Sequence, residues 1–257
     1  MRVFLTGAAN GIGPVAVGEL LNRGHEIAAL DIDEEGLAQL PDAVDTYHGD
    51  VSDPERMREV IESETFDVLV NNAGHSRWGA IEDMTPEEVQ RHFDVNLHGY
   101  LNTIRPALPQ LRERNGRIVN VSSLVSHLTA PYWGIYSASK HAVKAMSHEL
   151  RMEVEPFDID VVIVEPGPVT TGFNERGRDH IETYLPDTEY AEGYREKLEV
   201  ESFGGVSPEK AGKKLAKAAV TSRPRVRYTI GWQAWLFPKL RLLLPERLWD
   251  RVVQRFS

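Results

Sequence analysis

The sequence predicts a single α/β domain over residues 1–257, a doubly wound parallel sheet held between two helical layers in an α/β/α sandwich. Three observations carry that expectation. Short apolar runs alternate with longer amphipathic stretches along the chain. The runs lack the strict in–out alternation of a half-exposed strand, as befits strands covered on both faces. A glycine-rich turn lies directly behind the first of them.

In chain order, the strand candidates are Val3–Thr6, Glu26–Leu30, Val44–Tyr47, Val68–Val70, Arg117–Val121 and Asp160–Val164. Helical periodicity fills the gaps. Val15–Asn22 leads into the second strand, and Asp53-Pro54 opens a helix with a capping carboxylate and a proline in the first turn. Thr85-Pro86 opens a longer helix running towards Leu111. Strand–helix–strand repetition implies parallel strands with right-handed crossovers. Residues 224–231 offer one more strand, and no repeat or linker divides the chain.

Composition narrows the function. Lys and Arg number 29 against 39 Asp and Glu, a net charge of −10, so bulk electrostatics exclude nucleic acid as a partner. Cysteine is absent, which removes disulfides, thiolate metal sites and thiol nucleophiles. No His cluster has ligand spacing, so no metal is expected. His75, His98, His127, His141 and His148 read as surface residues, with His75 and His127 the two placed to touch a substrate. No run approaches the ~20 apolar residues of a membrane span, and the expected compartment is the cytoplasm.

The first strand ends in Thr6-Gly7-Ala8-Ala9-Asn10-Gly11-Ile12-Gly13. Glycines at a strand-to-helix turn let the backbone approach a pyrophosphate, and the helix N-terminus supplies free N–H groups and partial positive charge. Asp31 follows the second strand, where a carboxylate accepts the ribose hydroxyls of NAD and repels the 2′-phosphate of NADP. Asn10 and Ile32 bring no cation for such a phosphate. NAD is the expected cofactor, with NADP the alternative.

Tyr136 and Lys140 are four residues apart and share one helix face. A phenol titrates near ~10 in water, too high for a good base at neutral pH, and a nearby ammonium is expected to lower it. Tyr132 is the competing tyrosine, but the residue four positions on is Tyr136, not a lysine.

These motifs do not stand alone. Asn71-Asn72-Ala73-Gly74, Asn96 in Val95-Asn96-Leu97-His98-Gly99, Ser122-Ser123, Tyr136-Ser137-Ala138-Ser139-Lys140 and Pro166-Gly167-Pro168-Val169-Thr170-Thr171 follow the glycine turn in order. Together they resemble the short-chain dehydrogenase/reductase family in its compact, single-domain branch, over residues 2–171. The resemblance implies a Rossmann-like fold and an oxidoreductase that interconverts a secondary alcohol and a ketone, or an aldehyde, by hydride transfer. It makes Asn96, Ser123, Tyr136 and Lys140 the catalytic tetrad. Tyr136 is the acid/base and Lys140 also binds the nicotinamide ribose. Ser123, at the family's spacing from Tyr136 and preferred to Ser122, places the substrate oxygen, and Asn96 holds a water. It gives Gly7, Gly11, Ile12 and Gly13 to the pyrophosphate, Asp31 to the adenosine ribose, and Asp50 and Val51 to the adenine. Asn72, Ala73 and Gly74 line the cofactor cleft, and Pro166, Gly167, Val169 and Thr171 take the nicotinamide end. It also implies a homodimer or homotetramer.

Beyond Thr171 the resemblance weakens. Residues 172–205 are expected to cover the cleft as a lid, and Trp133 to wall the pocket, which suggests an apolar alcohol or ketone, lipid-, steroid- or retinoid-like. Residues 231–257 form a C-terminal extension. From Arg223 onward eight basic residues face Glu246 and Asp250 alone, giving about +6 against about −16 for the remainder. An oligomer interface or a substrate rim is preferred for it over a membrane-surface helix, because Pro238 and Pro245 interrupt the segment. Two other functions are open: a nucleotide-sugar epimerase or dehydratase, against which the chain length and glycine spacing argue, and a non-catalytic NAD(H) sensor, against which the intact tetrad argues.

Overall fold

A computed structural model describes residues 1–199 and 205–256. Its strands are β1 (Arg2–Thr6), β2 (Glu26–Asp31), β3 (Val44–His48), β4 (Val68–Asn71), β5 (Arg117–Val121), β6 (Asp160–Pro166) and β7 (Arg227–Ile230). They form one parallel sheet in the order β3-β2-β1-β4-β5-β6-β7. The chain changes direction of winding between β1 and β4. Ligand crevices form there, at the carboxyl ends of the strands.

The helices are α1 (Gly13–Asn22), α2 (Glu34–Leu37), α3 (Pro54–Ser63), α4 (Pro86–Phe93), α5 (Gly99–Glu113), α6 (Tyr136–Glu153), α7 (Gly172–Asp179), α8 (Ala191–Glu199), α9 (Pro208–Val220), α10 (Trp232–Leu243) and α11 (Glu246–Phe256). Capping chemistry explains the starts. Asp53 accepts from the N–H groups of Glu55 and Arg56 ahead of α3. Thr85 and Glu88 form a reciprocal capping box ahead of α4.

Each strand feeds two cores by its two-residue period. Val3 and Leu5 of β1 pack with Ala16, Val17 and Leu20 of α1 and with Leu215 and Ala219 of α9. Phe4, between them, points to the opposite face, against α3, α5 and α6, with Met57, Ile61, Ile104, Leu111 and Val143. This is the three-layer, doubly wound sandwich that the sequence pattern implies.

Two details differ from the expected elements. The helix expected from Thr85 to Leu111 is two helices joined by a π turn over Asp94–His98, which contains Asn96. Pro238 does not break the tail: α10 runs through it, giving up one backbone bond, and only Pro245 separates α10 from α11.

A buried polar chain ties the helices under the sheet together. Thr103 donates to Asn71 Oδ1 (2.6 Å), Asn71 to Asn120 Oδ1 (3.0 Å), and Asn120 to Ser147 Oγ (2.9 Å). It runs from α5 through β4 and β5 to α6, and every member has a partner, the condition under which such a network rigidifies a core.

On the opposite face α1 and α9 approach closely at Gly212, where a Cβ would lie 2.6 Å from the Cβ of Val15. Gly212→Val is therefore expected to lower stability by about 1–3 kcal/mol through overpacking. Urea denaturation should show a lower midpoint with an unchanged slope.

Candidate active site

A cavity of about 1080 Å³ opens at the carboxyl ends of the strands. Gly7, Asn10, Gly11 and Ile12 wall it at one end, Asp31, Asp50 and Val51 beside them, and Asn72, Ala73 and Gly74 behind β4. Ser123, Tyr136, Lys140, Pro166, Gly167, Val169 and Thr171 wall the other end. Two of the sequence-derived residues, Gly13 and Asn96, stand behind the wall rather than in it.

Gly13 shows why the turn is glycine-rich. A Cβ there would sit 2.2 Å from the Gly7 carbonyl oxygen. Gly7 itself has φ +66° and would place a Cβ 2.7 Å from the backbone of Ala73, and Gly11 has φ +63°. Only glycine tolerates these conformations and approaches at little cost. The resulting cradle, closed by the N-terminus of α1, fits a dinucleotide pyrophosphate.

At the adenosine end Asp31 is 7% exposed. Its two oxygens accept from Ala9 N (2.8 Å) and Asp33 N (3.0 Å), which leaves lone pairs of each directed elsewhere. Asn10 donates to Asp33 Oδ2 (2.8 Å), so this mouth of the cavity carries two carboxylates side by side. Asp50 is held by Arg91 (2.7 Å) and by the Ser52 amide and hydroxyl; burial works to raise its pKa, and these partners together lower it.

At the other end Tyr136 is the first residue of α6, and Lys140 lies one turn further on. The loop before α6 is pinned by Gly79 N, which donates to the Tyr132 carbonyl (2.8 Å). Tyr132 packs edge-on against Tyr190 and Tyr194, away from the cavity wall, so it does not compete with Tyr136. Ser123 caps the short turn after β5, its hydroxyl accepting from Val125 N (3.3 Å), and lies close enough to the Tyr136 phenol to hold its pKa down. Ser122 instead donates to the Lys140 carbonyl (3.2 Å) and fixes the helix against β5.

Lys140 is 3% exposed and donates to the Val121 carbonyl (3.0 Å) and the Tyr100 hydroxyl (3.5 Å). Its ammonium lies 5.9 Å from the centre of the Tyr136 ring. The expectation that this ammonium lowers the phenol pKa needs correction for the protein alone. Burial pushes Lys140 down to about 7, and burial pushes Tyr136 up to about 12 against the opposing influence of the Ser123 hydroxyl. Desolvation disfavours both charged forms and outweighs their mutual attraction.

Asn96 is fully buried at the π turn. Its amide donates to the His75 carbonyl (2.9 Å) and Ser139 Oγ (2.9 Å), and its oxygen accepts from His75 N (2.7 Å). Both donors are spent, so a water held by this side chain has to bond its remaining acceptor lone pair.

The histidines also need correction. His75 lines the cavity, and its pKa falls to about 4 through burial and then through repulsion from His92. His127 is absent from the cavity wall; it bonds Glu165 (2.7 Å) and Lys144 (2.9 Å) behind β6. Neither is a plain surface residue.

Three contributors were not singled out from sequence. Tyr100 bonds Lys140 and the Val121 carbonyl, and its place one turn after Asn96 was the available signal. Trp78 stacks on Trp133 at 5.6 Å, and Lys197, 8% exposed, lies 5.6 Å over the Trp78 ring. Nothing local in the sequence marks Trp78 or Lys197. From the expected lid, Phe173, Glu175, Arg178 and Lys197 reach the cavity, while 200–204, with Phe203, fall outside the described residues.

Comparison with known proteins identifies the family. Residues 1–182 match the short chain dehydrogenase family. A 3-ketodihydrosphingosine reductase of Bacteroides thetaiotaomicron is 32% identical over 261 residues, covering 99% of this chain and 97% of that protein. Retinol dehydrogenase 16 of Mus musculus is 31% identical over 276 residues, covering 98% of this chain and 87% of that one. A crystal structure of a short chain dehydrogenase from Burkholderia cenocepacia, in complex with NADP, superposes with a TM-score of 0.80 at 23% identity, covering 98% and 97% of the two chains, and speaks for the fold alone. The chain belongs to the short-chain dehydrogenase/reductase family, as its motifs imply. It is an oxidoreductase acting on CH–OH donors with a nicotinamide dinucleotide.

The buried lysine yields a test with a defined sign. Its pKa is about 7 in the fold and near the ordinary 10.5 unfolded. Between those values the unfolded chain binds the extra proton, so the native protein gains stability as pH rises through that window. Lys140→Met lacks this gain. Its stability relative to the parent protein is expected to be most favourable near pH 6 and to fall steadily towards about pH 9.5 in urea titrations. A difference independent of pH would show that the ammonium is not desolvated.

Proposed function

We propose that this protein interconverts a secondary alcohol and a ketone, or an aldehyde, on a long apolar substrate, with NAD as the preferred cofactor. The observation that carries the reading is the juxtaposition, on one cavity wall, of the Tyr136 phenol, its Ser123 partner and the buried Lys140.

The glycine cradle at Gly7, Gly11 and Gly13 receives the pyrophosphate, and Asp31 the adenosine ribose. Asp50 and Val51 flank the adenine. Pro166, Gly167, Val169 and Thr171 pack on the nicotinamide end. When bound, the nicotinamide would supply the hydride acceptor or donor and, when oxidised, a positive charge.

Ser123 donates to the substrate oxygen and holds it against the Tyr136 hydroxyl. In oxidation the phenolate takes the alcohol proton; in reduction the phenol returns it to the forming alkoxide. Lys140 stabilises that phenolate and binds the nicotinamide ribose. The proton on Tyr136 exchanges with solvent through Lys140 and a water at Asn96.

Substrate class follows from the remaining wall. Val125, Leu128, Trp133, Phe173, Phe237 and Val253 make it predominantly apolar. Such a wall rewards burial of hydrocarbon at about 25 cal/mol per Å². Similar proteins named for 3-ketodihydrosphingosine and retinol support a long apolar substrate. Residues 172–199 act as the lid over it.

The paired carboxylates Asp31 and Asp33 at the adenosine mouth favour NAD, because a 2′-phosphate meets negative charge there.

Tyr136→Phe is expected to reduce turnover by about 100- to 10,000-fold while leaving NADH binding, read by fluorescence titration, nearly unchanged. Retained turnover on a panel of long-chain secondary alcohols, sterols and retinoids would remove Tyr136 from the acid/base role. Asp31→Ala combined with Ile32→Arg is expected to move the NADP-to-NAD preference by about tenfold or more, through a charge-assisted bond to the phosphate. Unchanged selectivity in steady-state kinetics would mean that another group reads the ribose.

A further inference from the structure

We infer that the outward face of α10 and α11 docks on an anionic lipid surface. The inward side of α10 is accounted for: Ala234, Phe237, Leu240 and Leu244 pack with Trp249 and Val253 of α11. Its outward side is apolar as well. Trp232, Trp235, Lys239 and Leu242 recur at helical spacing on one stripe, with Leu243 beside it. Trp235 is 57% exposed, Leu242 85% and Leu243 78%. A helix apolar on both sides is ordinarily covered on both, and no helix among the described residues is long and apolar enough to cross a membrane.

Charge identifies the occupant. On α11 the exposed Arg247, Arg251 and Arg255 line up at four-residue intervals, opposite the inward Trp249 and Val253. With Lys239 and Arg241, the two helices carry five cations against Glu246 and Asp250, and Glu246 is bridged to Arg241 at 3.1 Å. Two copies of this face brought together would set one net positive surface against another. An anionic bilayer attracts the cations and accepts the leucines, and tryptophan favours the headgroup boundary. Lys239, with its ammonium 3.4 Å above the Trp235 ring, presents both chemistries at one point.

Phe237 and Val253, on the inner sides of the same helices, wall the cavity. Docking therefore sets the apolar end of the cavity beside the leaflet, from which a long apolar substrate is drawn. That last step rests on the proposed function; the docking does not.

The test is flotation of the full-length protein with vesicles of phosphatidylglycerol and phosphatidylcholine, and with phosphatidylcholine alone. Binding to the anionic vesicles is expected, with a blue shift of tryptophan emission, and weaker binding to the neutral ones. Leu242→Glu combined with Leu243→Glu, both outward and exposed, is expected to weaken it about tenfold or more, and high salt likewise. Circular dichroism and turnover of a water-soluble alcohol should be unchanged in that variant. Absence of binding to anionic vesicles at low salt would overturn the inference. So would equal binding by the variant, or a variant that only dissociates a dimer which itself ignores vesicles. Docking is read without substrate, so silence on the alcohol panel would count against the proposed function alone.

Discussion

The site depends first on the seam where β1 and β4 part. Thr6 closes that seam below the crevice: its hydroxyl accepts from the amides of both Asn72 (3.1 Å) and Ala73 (3.2 Å). The Asn72 side chain then reaches back to the Gly7 carbonyl (2.8 Å). Those bonds hold the two strand ends so close that no side chain fits between Gly7 and Ala73. The glycine turn and the Asn71–Gly74 segment are thus one structural unit, though more than sixty residues separate them in the chain. A dinucleotide cradle at this place is a consequence of the sheet changing its winding direction exactly where backbone can be packed against backbone.

From the seam, rigidity is carried to the reacting end by polar groups that have no access to water. The Thr103–Asn71–Asn120–Ser147 chain fixes α5 and α6 against β4 and β5. Ser122 and Ser139 then hold the first turn of α6 at the Lys140 and Tyr136 carbonyls. The burial that gives this order also withholds charge. With Lys140 pushed down to about 7 and Tyr136 up to about 12, the pair without its cofactor is not poised as phenolate and ammonium. In the proposed mechanism activation would belong to the site with its cofactor bound, because a positive group in a dry pocket acts with far less screening than it would in water.

The C-terminal segment joins the site to the surface. One side of α10 and α11 completes the apolar cavity through Phe237 and Val253, and the other side presents leucine, tryptophan and arginine outward. Apolar residues in this tail therefore divide between two jobs. The tail's basic charge sits on a chain that is otherwise strongly acidic. A single pair of short helices thereby shapes the substrate wall and sets the character of the surface around it.

Most of the fold was legible in the sequence because strands buried on both faces leave short, near-continuous apolar runs, and five of the seven strands carry that mark, the edge strands β3 and β7 being the exceptions. The glycine turn, Asp31 and the Tyr136–Lys140 pair were legible because their chemistry depends on local spacing: a turn geometry, a strand end, one helical step. What the sequence could not decide were matters of burial. Lys140 and Tyr136 read as a mutually stabilising charged pair until the fold removed them from water. His127 read as a surface residue until Glu165 closed on it. Asn96 read as the holder of a water, and a π turn places it behind the wall with both amide donors already bonded. Trp78 and Lys197 meet at the cavity from segments more than one hundred residues apart, and no local pattern announces such a meeting. Spacing along the chain determined which groups share a turn or a face; only the tertiary structure decided which of them lost their water, and desolvation is what sets the charge state of a buried side chain.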